Sequence, residues 1–249
     1  MNIELSHSNK NLEQFASIAS HDLQEPLRKI LTFAKLLNQR HNAQTSEETK
    51  ELLGKIVLSS ERMSVLIKDV LSFSRMTNPN IAFEPTDLNH IFQVVLKDFD
   101  LLISETKAKI EFRELPVIEA IPVQMNQLMY NLLSNALKFN KPDRVPHITI
   151  SSKELSEAEV VKHPDLTPGI KYYEILLQDN GIGFDQEYAS QIFLIFQRLH
   201  SQTNYEGTGI GLALCEKIVN SHHGIIRAEG KEDVGALFYV ILPEVQNSH

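Results

Sequence analysis

Apolar residues recur at steps of three or four from about residue 10 to 40, at Leu12, Ala16, Ala19, Leu23, Leu27, Ile30, Ala34 and Leu37. That is the period of one helix face. Pro26 falls inside the run, where it removes a backbone hydrogen bond and predicts a kink. A polar break from His41 to Thr45 predicts a turn. A second helix is predicted over about 47–76, with Leu52, Ile56, Ser59, Met63, Leu66, Val70 and Phe73 at heptad spacing. Helices of about 30 residues span ~45 Å. Phe15, Ile18, Leu31, Leu53 and Leu71 lie off these stripes. One hairpin cannot bury both sets, whereas a four-helix bundle built by two chains can.

Thr77-Asn78-Pro79-Asn80 interrupts the pattern and marks a domain boundary. Beyond it helices and strands mix. Thr86 and Asp87 predict a helix cap, with the helix running to about Glu105. Residues 109–113 alternate like a strand, and Pro122 opens a helix through Phe139. Strands are predicted over 147–154 and 171–178, joined by a polar excursion. A short helix over 186–193, a polar stretch over 197–209 and a helix over 210–221 follow. Strands over 224–229 and 235–242 form a closing hairpin. The expected organisation is an all-α helical hairpin over 8–77, a linker over 78–86 and an α+β domain over 87–245.

Composition narrows the function classes. The 249 residues are 42% hydrophobic and 22% charged, an ordinary globular balance. The net charge of −8, with Lys and Arg scattered, excludes a nucleic-acid footprint. No apolar window is long enough for a membrane helix, and the N-terminus lacks a signal-peptide pattern. Cys215 is the single cysteine and lies in an apolar helical run, so it reads as a buried small hydrophobe in a reducing compartment. A cytoplasmic location is expected.

Glycine supplies the first chemical lead. Of only ten glycines, five fall in two clusters, Gly181/Gly183 and Gly207/Gly209/Gly211. Asp179 precedes the first cluster at a strand end, where a carboxylate can accept from an exocyclic amine while the backbone passes over a flat ring. The second cluster, Gly207-Thr208-Gly209-Ile210-Gly211-Leu212, opens a helix, whose free N–H groups suit phosphate. No Walker Gly-Lys-Ser/Thr follows, and no strand precedes Gly207 as a dinucleotide site requires. Asn131, Asn135 and Lys138 share one side of an otherwise apolar helix. Carboxamide oxygens suit Mg²⁺, and an ammonium suits phosphate. His21 lies off the apolar stripe of the first helix beside Asp22, where a neutral imidazole is a nucleophile.

In chain order, these segments resemble the boxes of two-component sensor histidine kinases. Residues from Phe15 to Arg28, with His21-Asp22-Leu23-Gln24-Glu25-Pro26, look like the H-box. Asn131-Leu132-Leu133-Ser134-Asn135-Ala136-Leu137-Lys138-Phe139 looks like the N-box. Asp179-Asn180-Gly181-Ile182-Gly183-Phe184 and the segment from Gly207 to Leu212 look like the two glycine boxes. Ile192 to His200 looks like the F-box, and its Phe196-Gln197-Arg198-Leu199-His200 is similar to the phytochrome-like branch.

The resemblance implies a dimerising phosphotransfer hairpin followed by a two-layer α+β sandwich of the Bergerat ATP-binding fold. It implies that His21 is the phospho-acceptor, with Asp22 orienting or deprotonating it. Asn131 and Asn135 would hold Mg²⁺, and Lys138 would touch phosphate. Asp179 would read adenine, with Gly181 and Gly183 beside it. Gly207, Thr208, Gly209, Gly211 and Leu212 would line the phosphates. Arg198 would belong to the nucleotide site at the start of a lid over about 197–208. The implied cofactors are ATP and Mg²⁺. The implied partners are a second copy of the chain and a response regulator receiver domain. Glu25 departs from the family pattern, because many members carry Thr or Asn there to position water for dephosphorylating the regulator. Asn140 stands where Ser or Thr is common. Two rivals share the fold: a non-catalytic ATP-binding scaffold, and an ATPase of the chaperone, topoisomerase or mismatch-repair kind. The latter use a water-activating Glu where this chain has Asn131.

Overall fold

The structure, a computed structural model, describes residues 23–24, 26–37, 47–75, 82–199 and 207–246. The chain divides into two compact units, Met1–Thr77 and Asn78–His249.

In the first unit residues 23–24 and 26–37 are helical (α1), followed by α2 (Glu47–Arg75). Leu27, Ala34 and Ile67 are buried, each with 5% of its surface exposed. Leu31, Leu53, Val57 and Leu71 are half-buried beside them. The inner face of α2 therefore follows residues 53, 57, 60, 64, 67, 71 and 74. It includes Ser60, Ser64 and Ser74, whose small side chains permit close helix approach. Of the predicted stripe, Leu66, Val70 and Phe73 are half-buried. Leu52, Ile56 and Met63 face outward with about half their surface exposed, as do Leu23, Ile30 and Leu37. Lys35 Nζ and Glu61 Oε1, 2.7 Å apart, bridge the two helices.

The second unit is a five-stranded sheet with helices on one face. Its strands are β2 (Lys109–Phe112), β4 (His147–Glu154), β5 (Tyr172–Asp179), β6 (Ile225–Lys231) and β7 (Gly235–Pro243), in the order β2-β4-β5-β7-β6. The β2–β4 pair is parallel and the others are antiparallel. The helical layer holds α3 (Leu88–Asp98), α5 (Pro122–Lys138) and α7 (Gly211–Ser221), packed in that order. Leu128, Leu132, Leu133, Ile148, Ile175, Leu177, Ile218 and Val240 fill the space between the layers. Periodicity locates the helices because each buries one stripe, and it locates β4 because its first half alternates.

Several features differ from the sequence expectation. Residues 84–86, expected in the linker, belong to β1 (Glu84–Asp87), which pairs antiparallel with β3 (Val117–Ala120). Asp87 is the cap, its Oδ1 accepting from Asn89 N, whereas Thr86 Oγ1 donates to the Glu84 and Ala120 carbonyls. The helix after Asp87 breaks at Phe99, and α4 (Asp100–Thr106) follows. The polar excursion carries a one-turn helix, α6 (Glu157–Val160), opened by a Ser156/Glu159 capping box. With Leu155, Val160 and Leu166 it covers Tyr172 and Ile241 on the sheet face away from the main helices. The expected short helix over 186–193 is two 3-10 turns, Gln186–Tyr188 and Gln191–Phe193.

Candidate nucleotide site

The site residues of the second unit lie along α5, between the C-terminal end of β5 and the start of α7. Asp179 ends this strand with 9% of its surface exposed. Its Oδ1 accepts from Gly181 N at 2.8 Å and Ala236 N at 3.2 Å. No described residue hydrogen-bonds Oδ2, which leaves that oxygen for an outside donor. Burial pushes the carboxyl up to about 6, against the lowering effect of the two amides.

The C-terminal turn of α5 stands next to this strand end. Phe139 O accepts from Ile182 N at 2.9 Å and ties the helix to the first glycine cluster. A Cβ at Gly181 would collide with that same carbonyl, and one at Gly183 with the Lys231 and Gly235 carbonyls. These glycines are thus required by protein backbone packing against them, not only by the flat ring inferred from sequence.

The second cluster closes the other side. Asn131 Nδ2 donates to Gly211 O at 3.2 Å, joining α5 to the start of α7. Among the described residues no side chain caps α7, whose first-turn amides suit an outside acceptor. A Cβ at Gly207 would fall 2.6 Å from Lys138 Nζ, so the lysine reaches the cluster. Leu212 is half-buried in the first turn of α7, and Thr208 is half-buried in the cluster. Gly209 has φ +75°, and a Cβ there would meet the Phe196 and Gln197 backbone. Phe196 N donates to Gly209 O at 2.9 Å. The two ends of the expected lid are therefore pinned together, with Arg198 half-buried just inside the first end. Residues 200–206 lie outside the described residues.

The donor set fits a hard cation shared with phosphate. Asn135 is half-buried, and its carboxamide makes no hydrogen bond to a described residue. Asn131 Oδ1 accepts from Gln127 Nε2 at 3.1 Å and keeps a second lone pair. Neutral carboxamide oxygens beside Lys138 suit Mg²⁺ bound mainly through phosphate oxygens.

Sequence reasoning missed Asn180. Its Oδ1 accepts from His147 N, its Nδ2 donates to Val145 O, and its carbonyl accepts from Arg144 Nη1. Its position inside the first glycine box was the available signal. The Lys141–Asp233 ion pair, which links the loop after α5 to the β6–β7 turn, had none. His222 is fully buried as a core histidine. His21, Asp22 and Glu25 lie outside the described residues.

Residues 120–246 match the family model described as histidine kinase-, DNA gyrase B-, and HSP90-like ATPase. The chain belongs to this family. Residues 11–79 match the His Kinase A (phospho-acceptor) domain, so both domains of a sensor histidine kinase core are present in order. Cyanobacterial phytochrome A of Nostoc sp. is 36% identical over 240 residues, which is 96% of this chain and 29% of that protein. The chain thus spans about three tenths of the length of this curated relative. The structure of full-length ShkA in complex with AMPPNP has a TM-score of 0.67 at 20% identity, covering 95% of this chain and 47% of that one. Histidine kinase ThkA in complex with response regulator protein TrrA has a TM-score of 0.63 at 17% identity, covering 100% of this chain and 67% of that one. These two likenesses are of fold.

Proposed function

We propose that the chain binds ATP with Mg²⁺, phosphorylates its own His21 and passes the phosphoryl group to an aspartate of a response regulator receiver domain. The observation that carries this reading is the convergence along α5. Asp179 offers a buried acceptor, Asn135 a carboxamide with no hydrogen bond to a described residue, and Lys138 a cation against Gly207. An acceptor for an amine beside a cation for phosphate suits an adenine nucleotide. The γ-phosphoryl would leave ADP and bond to an imidazole nitrogen of His21, with Asp22 orienting the ring or taking its proton. Asn131 and Asn135 would hold Mg²⁺, which supplies charge neutralisation of the phosphates when bound. Phosphoryl transfer needs mainly positioning and such neutralisation.

The rival hydrolase reading needs a water-activating carboxylate at position 131. Asn131 there donates to the Gly211 carbonyl, and a carboxylate would set oxygen against oxygen. The outward stripes of α1 and α2 support pairing with a second copy into a four-helix bundle. The relative's phytochrome name and the response regulator bound to ThkA support the signalling assignment. Among the described residues no helix is long and apolar enough to cross a membrane. This, with the buried Cys215, supports a cytoplasmic domain, where ATP is supplied and thiols stay reduced.

The test is incubation with γ-labelled ATP and Mg²⁺. Acid-labile label on the chain is expected, with none on His21→Ala. Label retained by that variant would overturn the reading.

A further inference from the structure

Asn131 is held at both ends of its carboxamide. Nδ2 donates to Gly211 O at 3.2 Å, and Oδ1 accepts from Gln127 Nε2 at 3.1 Å. Gln127 lies one turn earlier on α5, and both side chains are half-buried. A carboxamide turned end for end would put Oδ1 against the Gly211 carbonyl and Nδ2 against the Gln127 N–H donors. The Gly211 contact would then be repulsive, and Gln127 would have to turn as well to keep its bond. The Gly211 carbonyl therefore selects one orientation and the Gln127 bond holds it, with Oδ1 keeping a single lone pair for a further electropositive group.

We infer that Gln127 is a positioning residue for Mg²⁺-dependent nucleotide binding: it locks the orientation of the Asn131 carboxamide and so presents Oδ1. This rests on the functional reading above. Gln127 would touch neither metal nor nucleotide. It acts through Asn131, as the partners that orient metal ligands do. The same bond braces Asn131 against the start of α7.

Gln127→Met keeps length and helix preference and removes the donor. Binding of a non-hydrolysable ATP analogue to the full chain is measured with and without Mg²⁺. Wild-type binding should strengthen with Mg²⁺. Gln127→Met should lose about tenfold in the Mg²⁺-dependent affinity and nothing in the Mg²⁺-free affinity, which also controls for folding. On an Asn131→Ala background, Gln127→Met should change neither. Unchanged Mg²⁺-dependent affinity in Gln127→Met, or an equal loss on the Asn131→Ala background, would overturn the inference. Absence of Mg²⁺-dependent binding in the wild type would instead overturn the functional reading itself.

Discussion

The Phe139 carbonyl accepts the Ile182 amide at 2.9 Å, which fixes the end of α5 to the loop after β5. Lys138 and Asp179 are held in one site by this bond, although 41 positions separate them in the sequence. Gly181 allows the approach, since any Cβ there meets the same carbonyl and lies 3.0 Å from Asp179 Oδ1. Gly181→Ala should force the loop outward and cost about 1–3 kcal/mol, as overpacking does. Nucleotide affinity should fall with it. Urea unfolding together with titration of a fluorescent nucleotide analogue measures both. Wild-type stability in the variant would show that the loop adjusts freely and that this bond does not organise the site.

Asp179 couples affinity to pH. Its carboxyl sits at about 6 in the folded chain against 3.8 for the ordinary group, because burial opposes its charge. The folded state therefore binds this proton more tightly than the unfolded chain does. Ionised Asp179 lowers stability above about pH 6, and the penalty fades as pH falls through 6 toward 3.8. A shift of about two units corresponds to up to ~3 kcal/mol. Asp179→Asn keeps an oxygen for the Gly181 and Ala236 amides but presents an amide donor to the ligand. The variant should be more stable than wild type at pH 7.5 and bind adenine nucleotides poorly. In the wild type, affinity should fall toward tenfold per pH unit below about 6, since an acceptor becomes a donor. Calorimetric titration across pH 5 to 8 tests this, and a flat profile would dispose of the acceptor role.

The boxes around Asn131, Asp179 and Gly207 were legible because their polar and glycine residues interrupt strong apolar patterns. The reason for the glycines was not. Gly181 and Gly209 answer to backbone atoms of Phe139 and Phe196, which are distant or loop residues with no period to announce them. β1 escaped because Glu84-Pro85-Thr86-Asp87 buries only Thr86, so no alternation is visible. α6 could have been found, since Ser156 and Glu159 form a capping-box spacing. The inner face of the hairpin was not legible because α2 carries two apolar stripes. Pattern alone cannot say which one faces α1, and Ser60, Ser64 and Ser74 disguise the inner one.

His222 closes the helical layer where the chain enters the second unit. Its Nε2 accepts from Ile121 N at 3.1 Å, its Nδ1–H donates to Ile218 O at 2.8 Å, and Phe83 packs edge-on against its ring. Burial holds the imidazole below its ordinary value of 6.5. The unfolded chain therefore takes up this proton first, and the stability from His222 is lost as pH falls from 6.5 toward the lower folded value. His222→Gln can satisfy both backbone groups without titrating, so it should flatten this part of the stability profile between pH 7.5 and 5.5. His222→Leu leaves the Ile121 N–H without an acceptor and should cost roughly 1–3 kcal/mol at every pH. Denaturant unfolding of the three chains at both pH values decides it. Equal pH slopes in wild type and His222→Gln would show that the buried imidazole is not the titrating group.

The two stripes of α2 give opposite predictions for substitutions a few residues apart. Ile67 is 5% exposed, and Ile56 and Met63 are 44% and 50% exposed. If the outward stripe is covered by a second copy, Ile56→Asp or Met63→Asp buries a charge only in the dimer. Such a variant should become monomeric while keeping the helical circular dichroism of the hairpin. Ile67→Ala opens a cavity inside the hairpin of a single chain and should cost about 2–5 kcal/mol, with melting of the first unit. Sedimentation of the full chain reads the first effect and thermal circular dichroism the second. A wild-type chain that sediments as a monomer, unchanged by Met63→Asp, would leave the outward stripe without a second copy to cover it. The bundle would then have to be abandoned, and the inner packing around Ile67 would stand unaffected.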